Sequence, residues 1–190
     1  MRPLLISICL ILVATSLAAE KDEVREAVKH GTDRTASKIL LTPKAATIED
    51  LAKLKRPLDL PNDLKSRKYE KGRIAPLEST IWRVDCRLKE IVLSRDGDFR
   101  LVIESQSGAR TIVEVPDPRE CRHSPFLKGI SKARQELARR FHPTKAVQKP
   151  DALIEITAIG FFGPLKKSSK NVPANGARLM PAIAVKFNTN

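Results

Sequence analysis

From Leu77 onward, apolar and polar positions alternate in short runs, and these predict five strands. Ile81 to Leu93 is the longest, with Trp82, Val84, Cys86 and Leu88 on one face. Its apolar phase shifts around Lys89-Glu90 before Ile91-Val92-Leu93, as a bulge in a curled strand makes it do. Phe99, Leu101 and Ile103 mark a second strand, and Thr111, Val113 and Val115 a third. Arg95-Asp96-Gly97-Asp98 and Ser105-Gln106-Ser107-Gly108 read as the turns between them, each with a glycine able to take positive φ. The period then changes to that of a helix. Phe126, Ile130, Ala133, Leu137 and Phe141 form one stripe over Ser124 to Phe141, with Lys128, Lys132, Arg134, Arg139 and Arg140 opposite, and Pro143 ends it. Leu153, Ile154, Ile156, Ala158 and Ile159 predict a fourth strand ending at Gly160-Phe161-Phe162, and Pro181 to Phe187 a fifth.

Three meandering strands, a helix and two further strands is the order of an OB-fold. The expected fold class is therefore mainly β with one helix (α+β): a five-stranded OB-fold-like barrel with the helix between strands three and four. An open α+β sheet covered by one helix is the rival, and the long, phase-shifted first strand favours the barrel.

Before the barrel the pattern is irregular. Lys21 to Lys29 predicts a short helix closed by His30-Gly31-Thr32-Asp33. Thr47 to Leu54 predicts a better one, with Thr47 as cap, Glu49 and Asp50 in the first turn, Lys53 and Lys55 at the end, and Pro57 as the stop. Leu58 to Gly72 is charged and turn-rich, a wrapped extension or linker.

Residues Met1 to Ala19 have a basic start, an apolar run from Leu4 to Ala14 and small residues before a charged segment, the three parts of an export signal. The run is shorter than the roughly 20 residues a membrane helix needs. The domain expectation is thus 1–19 signal peptide, 20–75 N-terminal extension and 76–190 barrel, exported to the periplasm or beyond, with no transmembrane segment after signal removal. The chain carries a formal charge of +13, and the segment after residue 19 loses only Arg2 from that excess. Such a balance favours anionic partners. Cys86 and Cys121 are the two cysteines after the signal, and in an oxidising compartment they are expected to pair as a disulfide. Cys9 lies inside the apolar run, away from any lipid-attachment point.

These residues resemble a family of uncharacterised exported bacterial proteins with a single OB-like domain. The resemblance runs through Lys29 to Asp33, Thr47 to Leu51, Pro76-Leu77-Glu78, Asp96 to Ile103, Val113 to Pro118, Gly160-Phe161-Phe162 and Asn175-Gly176-x-x-Leu179-x-Pro181. It implies a barrel fold and export, and carries no established activity. Family members commonly have a His-Gly pair after Gly-Phe-Phe and a Glu-x-His pattern near the end. Here Lys166-Lys167 and Arg178-Leu179-Met180 stand in those places.

No nucleophile elbow, phosphate loop or zinc spacing is present in the sequence, and His30, His123 and His142 lie in separate boundary segments without an evident partner. Asp96 and Asp98 offer carboxylates, but Asp-Gly-Asp is first a hairpin turn and supplies too few oxygens for calcium. No cofactor and no metal is expected. OB barrels bind with strands two and three and with the loops joining strands one–two and four–five. The four–five loop, 163–178, has no acidic residue and holds Lys166, Lys167, Lys170, Asn175 and Arg178, which are the expected ligand-binding residues. Aromatic residues make up 4% of the chain and leave no base-stacking platform on strands two and three. The expected function is a non-catalytic, monomeric binding module for an anionic polymer or cell-envelope component: polysaccharide, or nucleic acid. A structural or protein-interaction module of the envelope and a nuclease-like hydrolase are the alternatives.

Overall fold

A computed structural model describes residues 25–70, 72–165 and 170–187, and in it the alternating runs become a closed barrel. A two-residue strand, β1 (Lys44–Ala45), precedes the five that make the barrel: β2 (Ile81–Leu93), β3 (Phe99–Glu104), β4 (Arg110–Val115), β5 (Ala152–Phe162) and β6 (Ala177–Phe187). Strand order is β1-β2-β3-β4-β6-β5, and β5 pairs back onto β2 to close the ring. The β4–β6 contact is parallel, and the other barrel pairings are antiparallel. This is the OB topology, with one helix, α3 (Leu127–Phe141), between the third and fourth barrel strands. β2 serves two neighbours in turn. Its residues 81–88 pair with β5 and 87–93 with β3, and the register shift between Leu88 and Glu90 is the bulge that the phase change predicts.

Inward positions on β2–β6 and the α3 stripe meet in one core. Leu88, Ile91, Leu101, Ile103, Val113, Ile130, Leu137 and Ile156 are all fully buried. Each such side chain contributes about 1.5–3 kcal/mol by leaving water. The helix begins three residues later than its apolar pattern suggests, because Ser124 turns the chain first: its hydroxyl accepts from Phe126 N.

The extension joins this core. It contains α1 (Glu26–His30) and α2 (Ile48–Lys53), the latter closed by a capping box between Thr47 and Asp50. Val28, Ile48, Leu51, Leu60, Leu64 and Ile74 pack in the same cluster as the barrel interior. Between extension and barrel lies a fully buried ion pair. Arg25 Nη1 donates to Glu78 Oε1 at 2.8 Å and Nη2 to Oε2, while Nε and Nη2 also donate to the carbonyls of Tyr69 and Gly72. Glu78 accepts in addition from Ile74 N and Phe162 N, so each of its carboxylate oxygens takes two hydrogen bonds.

The expected Cys86–Cys121 disulfide is not made; both cysteines are free and buried. Cys86 sits mid-way along β2 opposite Ile154, whereas Cys121 lies in the turn after β4. Cys121 feels the Asp98 charge, at the far end of β2. Seven residues of strand, roughly 20 Å, separate Cys86 from that end, while a disulfide needs Cα atoms about 4.4–6.8 Å apart. The export signal with Cys9, residues 21–24 of the first expected helix, and Lys166 and Lys167 lie outside the described residues. No helix among the described residues is long and apolar enough to cross a membrane.

Candidate binding cleft

The stems of the β5–β6 loop are held rigidly by the extension. Gly163 N donates to Gly176 O at 2.9 Å, closing the base of the loop. Arg56 reaches across from the segment after α2, donating from Nη1 to Gly163 O and from Nη2 to Pro61 O. Leu165 N donates to Asn62 O. Asn175, an expected ligand contact, is engaged here instead. Its Nδ2 donates to Leu51 O and Leu54 O at 2.9 Å each, and its Oδ1 accepts from Ala177 N. The amide thus caps the end of α2, taking Leu54 O and sharing Leu51 O with Leu54 N. Lys170 is exposed and makes no ion pair among the described residues.

Arg178 is placed differently. It opens β6, is only 8% exposed, and lies so close to Gly163 that a β-carbon there would stand 2.2 Å from Nε. Nη2 donates to Pro164 O at 3.1 Å, and Nε is buried with no acceptor among the described residues. No carboxylate forms an ion pair with it among the described residues. Burial therefore lowers its pKa from the ordinary arginine value; the Glu114 charge works against that shift, and Arg100 and Arg56 add to it. Arginine nonetheless stays protonated in a protein, so a charge is held here with little compensation.

The guanidinium lines a cleft of ≈ 410 Å³ between barrel and extension. Phe161, Pro164 and Met180 supply its barrel side, with Glu114 of β4; the extension supplies Glu26 and Lys29 from α1 and the segment Asp63-Leu64-Lys65. Lys29 ties α1 to the barrel. Its ammonium lies 2.9 Å from Asp98, 3.1 Å from Glu114 and 3.4 Å from Asp96. Burial opposes its charge, yet Glu114, Asp98 and Glu26 outweigh burial and hold its pKa above the usual lysine value. Burial raises the Glu26 carboxyl. The Asp96-Gly97-Asp98 turn thus already contains a cation, and among the described residues no group of side chains is arranged to hold a metal ion.

His30, expected without a partner, stands 3.2 Å from Glu26 and 3.9 Å from Asp98. It belongs to the same anchoring cluster. The thiols offer no nucleophile beside it. Burial pushes both Cys86 and Cys121 up to about 12, aided by Asp85 at the first and Asp98 at the second. Of the expected site residues that are described, Lys170, Asn175 and Arg178, Arg178 alone lines the cleft. Lys29, Glu114 and the 63–65 segment were not anticipated, since their partners lie on elements far apart in sequence. Compared with known proteins, the chain matches no family model, no curated protein and no solved structure.

Proposed function

We propose that the protein is an exported, non-catalytic module that binds an anionic polymer or ligand in the cleft beside Arg178. The observation that carries this reading is the buried guanidinium itself. Removing an ion from water costs several kcal/mol even after relaxation; among the described residues no carboxylate forms an ion pair with Arg178, and the Glu114 charge opposes the effect of burial without cancelling it. An oxyanion entering the cleft would offset that cost through charge-assisted hydrogen bonds. The excess of positive charge, +13 for the full chain less Arg2 of the signal, would assist encounter over longer range. Export follows from the 1–19 signal, and the resemblance to exported OB-like proteins agrees with it. In this reading residues 20–75 are part of the binding domain and not a spacer, because half of the cleft comes from them.

The test is calorimetric titration of the chain with heparin, hyaluronan, oligo(dT) and polyphosphate at low and high salt. At least one should bind, with affinity falling as salt rises. Arg178→Gln should weaken that binding about tenfold or more, in line with loss of a charged hydrogen bond. Lys170→Gln should have a smaller effect. Absence of binding across the panel at low salt would remove the reading, as would an Arg178→Gln variant that binds like the wild type.

A further inference from the structure

Resting on that reading, we propose that the cleft is built for a carboxylate-bearing sugar unit, its carboxylate on Arg178 and its hydroxyls on the rim. The charge inventory of the cleft is the first reason. The chain as a whole is strongly cationic, yet in the cleft Arg178, Lys29 and Lys65 stand against Glu26, Asp63 and Glu114. Among the described lining residues the two signs are therefore equal in number. A polymer with one anion on every unit would place its second charge against a carboxylate.

The hydrogen-bonding capacity of the rim is the second reason. Asp63 Oδ1 accepts from Lys65 N, and the paired oxygens of Glu26 and Glu114 are both Oε2, facing Lys29. The other oxygen of each carboxylate accepts no hydrogen bond among the described residues. An ionised carboxylate only accepts, so the rim presents acceptors that call for O–H or N–H donors. A polyhydroxylated ring supplies them on several sides. At the floor the need is opposite: Arg178 Nη1 donates to no acceptor among the described residues, and a planar carboxylate suits a guanidinium edge.

Nucleic acid fits less well. Its binders stack bases on open aromatic faces. Phe161 is the aromatic residue of the cleft lining; it is 4% exposed, and the Arg25 guanidinium covers its ring at 5.0 Å. The volume of ≈ 410 Å³ lies in the range of small-ligand sites, so the cleft would grip one part of a chain and leave the rest outside.

The experiment compares three probes on the intact protein: a hyaluronan oligosaccharide, which has a carboxylate on alternate sugars; the same oligosaccharide with its carboxylates reduced to alcohols; and oligo(dT). The native oligosaccharide should bind, and the reduced one should bind about tenfold more weakly or worse. Arg178→Gln should weaken the native probe by a similar factor while leaving the reduced probe unchanged. Asp63→Asn, on an exposed turn, should weaken the oligosaccharide and strengthen oligo(dT). Equal affinity for native and reduced oligosaccharide overturns the proposal, and that comparison needs no variant to fold. If oligo(dT) alone binds and loses affinity in Arg178→Gln, the sugar assignment falls while the anion-binding reading stands. If no anionic probe binds, both fall.

Discussion

Replacing Glu78 with glutamine tests whether the extension and the barrel are one cooperative unit. Glu78 has no exposed surface and accepts from two guanidinium nitrogens of Arg25 and from the amides of Ile74 and Phe162. Glutamine keeps the volume but replaces one acceptor by an NH₂ group. That group would point a donor at Arg25, Ile74 N or Phe162 N, and it would leave the buried Arg25 charge without its counter-ion. Breaking one side of a buried pair in this way costs about 3–5 kcal/mol. For a chain of this size each kcal/mol lowers Tm by about 2–4 °C, so a fall of roughly 6–20 °C is expected. Urea unfolding followed by Trp82 fluorescence and by amide exchange of residues 25–75 gives the assay. Trp82 is 4% exposed and donates from Nε1 to Leu77 O, beside the ion pair in sequence, so its emission reports on this seam. Both probes should move together in the wild type and in the variant. A loss below about 1 kcal/mol would refute the reasoning, as would extension amides that exchange freely while Trp82 stays folded.

Glu49 provides a pH signature. The hydroxyls of Ser105 and Ser107 in the β3–β4 turn hydrogen-bond its carboxylate and hold its pKa down to about 2 from 4.5. A depressed folded pKa contributes stability above the unfolded value that is lost as pH falls from about 4.5 toward 2. Glu49→Gln should therefore flatten the acid limb of the stability curve; an unchanged limb would refute the contact. The thiols of Cys86 and Cys121, buried and raised to about 12, should label slowly with a thiol reagent in the native protein and promptly in denaturant. Fast native labelling would contradict their burial. Gly163→Ala would put a methyl group 2.2 Å from Arg178 Nε, costing about 1–3 kcal/mol as overpacking does and displacing the guanidinium. Ligand affinity should fall although no charge is removed; intact affinity would mean that Arg178 does not need this position.

The parts of the fold that could be read from sequence are those governed by local period. The bounds of β2 and the bulge near Lys89 follow from residue alternation, and the α3 stripe from its spacing of three and four. Both signals come from neighbours within a few residues. The expectations that failed or shifted depended on partners further away. Asn175 looked like a loop amide open to ligand, yet its acceptors are 124 and 121 residues away, on α2. Cys86 and Cys121 were paired by compartment and count, which say nothing of the strand length between them. Leu58 to Gly72, charged and turn-rich, left a wrapped extension and a linker both open, and the packing decides for the wrapped extension. Leu60 and Leu64, two apolar residues in that polar run, nonetheless anchor it in the core.

The same distinction explains why the cleft was only half legible. Arg178 was singled out for its place in a cationic loop, but a loop cation is ordinarily solvated and would attract a polyanion as a diffuse charge. Packing makes it something else. Gly163 leaves the space into which the guanidinium folds, Pro164 O takes one donor, and the extension's Arg56 and Asn62 hold the loop stem beside it. A solvated lysine loop would recognise charge density alone. In the proposed reading, a buried guanidinium in a cleft also lined by Glu26, Asp63 and Glu114 would instead recognise where one charge sits relative to neutral donors, which is a property of a chemical group. Selectivity would, on that reading, depend on the extension as much as on the barrel, because Glu26 and Asp63, two of the three carboxylates lining the cleft, come from it.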